Sequence, residues 1–303
     1  MMRVVIATRR SPLALWQARW VAAELQKLRP GVEVELLELS TRGDELLDRR
    51  LAPLGGKGLF IKTLENALES GRADLAVHSL KDVPAEMPSG FELAAIPRRA
   101  DPRDALVSRH GAELADLPQG ARVGTASLRR QAQLLAARPD LRIETVRGSV
   151  QTRLGKTDSG ELDAVILAVA GLSRLEIDRG SPLPSETMLP ASGQGALGIE
   201  IRSGNEPVAD LLKDIEDADA RIAARAERAF CKALGASCAA PVAAHARVEA
   251  GAVELKVRVL ASDGSKVLES DGSASADAAE ELGRKLAADM LARGAGPLIS
   301  AVA

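Results

Sequence analysis

Apolar residues follow two different rhythms along this chain. Over roughly the first two hundred residues, short apolar runs alternate with longer stretches of helical period, the mark of α/β layers in which helices cover a sheet. Val4-Val5-Ile6-Ala7 reads as a strand. Ser11-Pro12 then opens a helix reaching about residue 28, with Ser as N-cap and Pro at the first helical position, where its missing N–H does no harm. Residues 32–39 alternate again, a polar Gly-rich loop follows over 41–58, 61–69 is helical, and 75–78 and 92–96 are short strands. Strands this short must pair in a shared sheet.

A second unit begins after the charged linker 98–103. Strands are expected at 105–108, 142–145 and 164–168, and helices at about 128–137 and 150–159. The Pro- and Gly-rich run 183–195 reads as a crossing back, after which 196–201 adds a strand to the first unit. Such a double crossing makes a hinged cleft with ligands at the strand C-termini. The last third changes rhythm. Val253, Leu255, Val257 and Val259 alternate with Glu254, Lys256 and Arg258, the period of a strand with one wet face. With 242–249 before it and a long helix at about 275–293 after it, this stretch reads as a small α+β domain. The expected domains are therefore 1–97 with 196–216, then 103–190, then 218–303.

Composition narrows the function. Apolar residues make up 46% of the 303, enough to repay the entropy of folding, so disorder is excluded. Forty Lys and Arg against 42 Asp and Glu exclude a polybasic nucleic-acid coat, and two Trp, three Phe and no Tyr are too few for base-stacking platforms. No apolar run is long enough for a membrane span or a signal peptide, so a soluble cytoplasmic protein is expected. Cys231 and Cys238, seven apart and with no His within six residues of either, fit neither a zinc site nor a disulfide framework.

The residues that suggest chemistry are mostly arginines. Arg129-Arg130 follow Gly124-Thr125-Ala126-Ser127 at an expected helix start, Arg147 precedes Gly148-Ser149, and Arg153 lies in the first turn of the next helix. Helix N-termini prefer anions, so a guanidinium there is slightly unfavourable unless an anion is to be bound. Taken singly, each Arg also fits a solvated surface charge. Taken together with Arg9, Lys57 and Lys81, they suggest a cleft for several carboxylates or phosphates. Asp82, in Ser79-Leu80-Lys81-Asp82-Val83-Pro84, has two readings: a turn cap before Pro, or an anion kept among cations to hold an N–H donor and stabilise a cation on the substrate. Cys238, in a loop of small residues after a helix, is either a reactive thiol or a small buried residue. Cys231, beside Phe230 and Leu234, reads as a core filler. Gly55-Gly56-Lys57-Gly58 lacks the Walker spacing and reads as a flexible lid with one cation.

Ile6-Ala7-Thr8-Arg9, Ser11-Pro12-Leu13-Ala14-Leu15-Trp16-Gln17, and the stretches 55–60, 78–84, 124–131, Arg147-Gly148, 190–200 and 235–238 occur in order from one end of the chain to the other. On these the chain resembles the porphobilinogen deaminases, also called hydroxymethylbilane synthases. The resemblance implies two periplasmic-binding-protein-like α/β lobes with a crossing hinge, plus a small C-terminal α+β domain. It implies a transferase of tetrapyrrole biosynthesis that joins four porphobilinogen units head to tail with loss of ammonia and releases linear hydroxymethylbilane. The priming cofactor would be a dipyrromethane held in a thioether by Cys238.

By the same resemblance Asp82 is catalytic, steering pyrrole nitrogens and stabilising an azafulvenium-like cation. Lys81, Thr125, Ser127, Arg129, Arg130, Arg147, Gly148, Gln194 and Gly195 would bind the cofactor. Arg9, Ser11, Gln17, Lys57, Phe60, Arg153 and Arg174 would bind substrate. The partner is porphobilinogen, taken by a monomer, with no nucleic acid, membrane or metal. Movement during elongation is expected at 41–58 and at the crossings near 98–103 and 190–196. The chain departs from the commoner pattern at Pro53 (Lys in many relatives), Ser149 (Asn) and Ala239-Ala240 (Gln-Val). The alternative is a two-lobed anion-binding protein or sensor on the same fold, which would have no use for Asp82 or Cys238.

Overall fold

A computed structural model describes residues 2–39, 56–236 and 239–300, with 56–60 and 300 described in backbone only. Its contacts divide the chain into Met1–Arg99 with Ala196–Arg221, and Ala100–Gly195 with Ile222–Ala303.

The first unit is built on a five-stranded sheet in the order Val32–Leu39, Met2–Arg9, Leu75–Ser79, Leu197–Arg202, Phe91–Ala95. The first three strands are parallel, and Leu197–Arg202 runs antiparallel to both its neighbours. The return strand expected at 196–201 is thus part of this sheet. Leu75, Ala76, Val77, Ile199 and Ile201 are all buried, the continuous apolar run of strands covered on both faces. Helix Pro12–Leu28 packs against the sheet through Ala18, Val21 and Leu25, an i, i+3, i+7 stripe. Helix Gly56–Glu69 adds Leu64, Ala67 and Leu68 against Ala7 and Ala76.

That helix corrects one expectation. Residues 56–58, expected in the Gly-rich loop, form its first turn, where the N–H groups have no intrahelical partner in any case and glycine weakens little. The rest of the expected loop, with Pro53, lies outside the described residues. The far edge of the sheet is pinned from the C-terminal side: Arg221 donates to the carbonyls of Leu93 and Ala94 at 2.9 Å each and pairs with Glu216, which accepts the Ile96 N–H at 2.6 Å.

The second unit repeats the plan. Its sheet runs Arg142–Glu144, Arg122–Gly124, Ala164–Ala168, Asp104–Ser108, Ser181–Pro182. Three parallel strands are again followed by an antiparallel one, here the entry strand Asp104–Ser108. The strand Arg122–Gly124 was not expected, because three residues carry no readable period.

The same unit holds an antiparallel sheet of Val242–Glu249, Ala252–Leu260 and Val267–Ser275. Its first hairpin turns on Ala250 and Gly251 at φ +49° and +78°, both left-handed as a two-residue type I′ turn requires. Val253, Leu255, Val257 and Val259 are buried, as their alternation predicts. Val267–Ser275 escapes sequence analysis because Ser, Asp, Glu and Gly favour strands poorly; the long pairing with Ala252–Leu260 imposes the conformation. The C-terminal helix, expected from about 275, begins at Ala279 after a single 3₁₀ turn at Ala276–Ala278.

This domain is stitched to the α/β sheet of the same unit. Gln131 donates to the Ser262 carbonyl at 3.1 Å, and Arg258 donates to Gln133 Oε1 at 2.6 Å and to the Glu186 carbonyl at 2.9 Å. Among the described residues no helix is long and apolar enough to cross a membrane.

Helices Ala218–Leu234 and Ala279–Ala292 approach closely at Gly283, where a Cβ would stand 2.4 Å from the Ala226 carbonyl oxygen and 2.8 Å from Phe230 N. Helix propensity alone favours Gly283→Ala by about 1 kcal/mol. Overpacking reverses the sign, so the substitution is expected to destabilise by about 1–3 kcal/mol in urea melts; a more stable variant would show that the helices separate freely.

Candidate active site

In each unit the candidate residues collect where parallel strands end, the place where α/β sheets bind ligands. In the first unit, Arg9 closes strand Met2–Arg9 and Ser11 caps the following helix, its Oγ accepting the Ala14 N–H at 3.4 Å. Gln17, buried, donates Nε2 to Ser79 Oγ at 2.8 Å and so ties that helix to the end of the next strand. Leu80–Asp82 follows at once as a 3₁₀ turn, held by the Leu80 N–H on the Ala196 carbonyl at 3.0 Å and the Val83 N–H on the Leu80 carbonyl at 3.1 Å. Lys81 and Asp82 are half-buried on this turn.

Beneath the turn lies a titratable cluster that sequence reasoning missed. His78 Nε2 and Glu200 Oε2 are 2.7 Å apart on adjacent antiparallel strands, both buried. Glu65, also buried, has its carboxyl pushed above the usual range by desolvation and then by the charge of Glu200. Lys57 lies in the first turn of helix Gly56–Glu69 and Phe60 at the start of its second, but their side chains lie outside the described residues.

In the second unit, Thr125 Oγ1 accepts the Ser127 N–H at 3.1 Å, and Ser127 caps helix Leu128–Ala137. The two arginines that follow are not the solvated surface charges that each, taken singly, would also fit. They do not stand out as charges on an open helix start; both are buried, turned onto Asp104. Arg129 donates Nη2 to Asp104 Oδ2 at 2.7 Å and Nη1 to the Leu189 carbonyl at 2.6 Å. Arg130 donates Nε and Nη2 to Asp104 Oδ1 at 3.0 and 2.7 Å, and Nη1 to the Ile166 carbonyl at 2.8 Å. The cause is Asp104, a fully buried carboxylate at the start of the entry strand, which draws both guanidinium groups inward through charge-assisted bonds. Burial lowers the pKa of Arg129 against the opposing pull of Asp104. The only sequence signal for Asp104 is a charge set directly before the apolar run Ala105-Leu106-Val107.

Gln194 joins the same cluster, donating Nε2 to Asp104 Oδ1 at 3.0 Å and to the Pro102 carbonyl at 2.7 Å. Gly195 sits at φ +87°, where a Cβ would lie 2.5 Å from the Ala100 carbonyl oxygen. Arg174 donates Nη2 to the Gly195 carbonyl at 2.8 Å, and burial brings its pKa down to about 10. Arg153 donates Nε to the Gly148 carbonyl at 3.1 Å, beside Ser149, whose Oγ caps helix Val150–Asp158. Ser and Asn are equivalent caps, which accounts for the departure at that position. Arg147 is exposed and makes no ion pair among the described residues.

Cys238 lies outside the described residues. Cys231 packs against the C-terminal core, and burial pushes its thiol up to about 12, as befits an inert filler. Among the described residues no cluster of His, Cys, Asp or Glu could hold a metal ion. Two buried guanidinium groups share one buried carboxylate, so the charge there is not balanced by carboxylates among the described residues and could meet a further one.

Residues 4–210 match the family described as porphobilinogen deaminase, dipyromethane cofactor binding domain, and 221–292 match porphobilinogen deaminase, C-terminal domain. The chain is 52% identical over 303 residues to a porphobilinogen deaminase of Chromobacterium violaceum, covering 99% of this chain and 98% of that one. It is 52% identical over 302 residues to that of Neisseria meningitidis serogroup A, covering 99% and 97%. Among solved structures it is similar to a putative methionine-binding lipoprotein from Bacillus subtilis, at TM-score 0.45 and 16% identity over 70% of this chain and 89% of that one.

The raised Glu65 carboxyl gives a signed prediction. A group whose folded pKa lies above its unfolded value holds its proton more tightly in the fold, so its stabilisation is present in acid and fades as pH rises through the folded pKa. Glu65→Gln should melt with the parent near pH 4 and above it near pH 8. A melting difference that is the same at both pH values would remove the carboxyl as its cause.

Proposed function

This chain belongs to the porphobilinogen deaminase family, and from that premise we propose how its own residues share the work. The reaction joins porphobilinogen units with loss of ammonia to give hydroxymethylbilane, in porphyrin biosynthesis, with a dipyrromethane cofactor. A binder without catalysis is not favoured, because relatives matching over almost the whole length carry the enzyme's name.

Each pyrrole brings two carboxylates, so the load to be gripped is strongly anionic, and planar forked guanidinium groups suit it better than point-charge lysines. Arg129, Arg130, Arg147 and Lys81 are assigned to the cofactor's carboxylates, with Thr125, Ser127, Gly148, Gln194 and Gly195 shaping that place. Arg9, Arg153 and Arg174, with Ser11, Gln17, Lys57 and Phe60, are assigned to incoming substrate. When bound, the dipyrromethane supplies the pyrrole carbon to which the first substrate unit is joined, and it is retained at product release.

Asp82 is the exception in sign. As ammonia leaves a porphobilinogen unit, positive charge develops on the substrate, and a fixed carboxylate that also accepts a pyrrole N–H stabilises that charge. The placement of Asp82 carries this assignment: it sits on a one-turn 3₁₀ segment at a strand end, braced by the Gln17–Ser79 and Leu80–Ala196 hydrogen bonds. Cys238 is assigned as the thioether anchor, supported by its Gly235-Ala236-Ser237-Cys238 context and by the inertness of Cys231.

Three domains, 1–97 with 196–216, 103–190 and 218–303, are supported by separate apolar clusters in the two α/β parts and in the C-terminal part. The partner is porphobilinogen, and action as a monomer in the cytoplasm, without nucleic acid or membrane, is the reading we attach to the family, with the near-balanced charge of the chain in keeping with the absence of a nucleic-acid partner.

Asp82→Ala should fold and lose turnover by about 10²-fold or more, the usual scale for deleting an electrostatic stabiliser; near-parental turnover would reduce Asp82 to a turn cap. Intact-protein mass spectrometry should find the dipyrromethane mass on Cys231→Ser but not on Cys238→Ser. The opposite pattern would move the anchor to the other thiol.

A further inference from the structure

We propose that Asp104 is a positioning residue for the carboxylate-binding arginines, gathering Arg129, Arg130 and Gln194 at one buried point and tying that point to both crossing segments. The inference rests on the deaminase reading above and deepens it.

Asp104 is fully buried and accepts from Arg129, twice from Arg130, and from Gln194, at 2.7–3.0 Å. Arg129 and Arg130 were assigned to the cofactor on motif alone; Asp104, which fixes where they sit, was not. Stability does not call for this arrangement, since a buried ion cluster is commonly matched or bettered by apolar side chains of similar volume. A structural pair would also balance, one cation to one anion. Here two guanidinium groups share a single carboxylate, and no second carboxylate pairs with either among the described residues. Buried positive charge in excess of its counter-ion disfavours the fold by itself and favours the arrival of another anion. The pyrrole carboxylates are such anions.

The cluster also reaches the chain segments that pass between the units. Gln194 holds the Pro102 carbonyl, Arg129 the Leu189 carbonyl, and Arg174 the Gly195 carbonyl. The Ala100 N–H in turn donates to the Gly195 carbonyl at 3.2 Å. Displacing the Asp104 carboxylate therefore disturbs the returning segment through Arg129 and Gln194, and the outgoing one through the Gln194 bond to Pro102. Aspartate is specified over its neighbours in chemistry: asparagine would leave two buried cations without a counter-ion, and glutamate would carry the charge one methylene too far.

The test uses the full-length protein. Asp104→Glu keeps the charge balance, so its melting temperature should stay close to the parent's. Its covalent dipyrromethane, read by intact mass, should fall, and KM for porphobilinogen should rise by about tenfold or more, the scale expected when a binding group is misplaced by a bond length or so. A folded Asp104→Glu with parental cofactor mass and parental KM overturns the proposal, as does one whose melting temperature alone drops.

If Asp104→Glu does not fold, Asp104→Gly decides, purified in formate or in chloride at equal ionic strength. Recovery of cofactor mass in formate only supports positioning by a carboxylate. Equal behaviour in the two salts, or insolubility in both, overturns it. A parent protein with neither dipyrromethane mass nor turnover would instead overturn the deaminase reading, which separates the two failures.

Discussion

A carboxylate removed from water is held in place only by the donors that replace the water, and Asp104 has its replacements from three side chains on two segments distant in sequence. That one requirement organises much of the second unit. The entry strand must begin with its carboxylate facing helix Leu128–Ala137, the helix must turn its first arginines inward, and the returning segment must come close enough to deliver Gln194. Gly195 follows from the same closeness, because any side chain there would strike the backbone at Ala100. Apolar packing would stabilise a fold as well; a charge cluster of this kind specifies one arrangement of it.

Both α/β sheets obey one plan, three parallel strands followed by an antiparallel strand next to a crossing, and both place their polar residues at the ends of the parallel strands. Their electrostatics differ. The first unit carries Asp82, beside Lys81, on a short braced turn, whereas in the second Arg129 and Arg130, on the helix capped by Ser127, turn inward onto Asp104.

Helix Leu128–Ala137 connects this chemistry to the C-terminal domain. Its first turn carries Arg129 and Arg130, while Gln131 and Gln133 further along meet Ser262 and Arg258. Gln133 also accepts the Leu189 N–H at 2.8 Å, so the returning segment, the helix and strand Ala252–Leu260 are held in register. The helix that aims the arginines is thereby fixed from the domain whose loop bears the proposed anchor.

What the sequence determined by itself is local. Ser11, Ser127 and Ser149 announce helix starts because a cap acts within three residues. The alternation from Val253 to Val259 announces a one-sided strand because side-chain direction repeats every second residue. The motifs around Asp82, Arg147 and Cys238 carry the family because they are contiguous in the chain. Tertiary structure alone decided the rest. Asp104 meets Arg129 and Arg130, Gln17 meets Ser79, and His78 meets Glu200, across separations that no period encodes. Strand Val267–Ser275 exists only because a neighbour pairs with it. Local signals come from backbone geometry that each residue carries with it, whereas burial and charge pairing belong to places that exist only after distant segments have packed together.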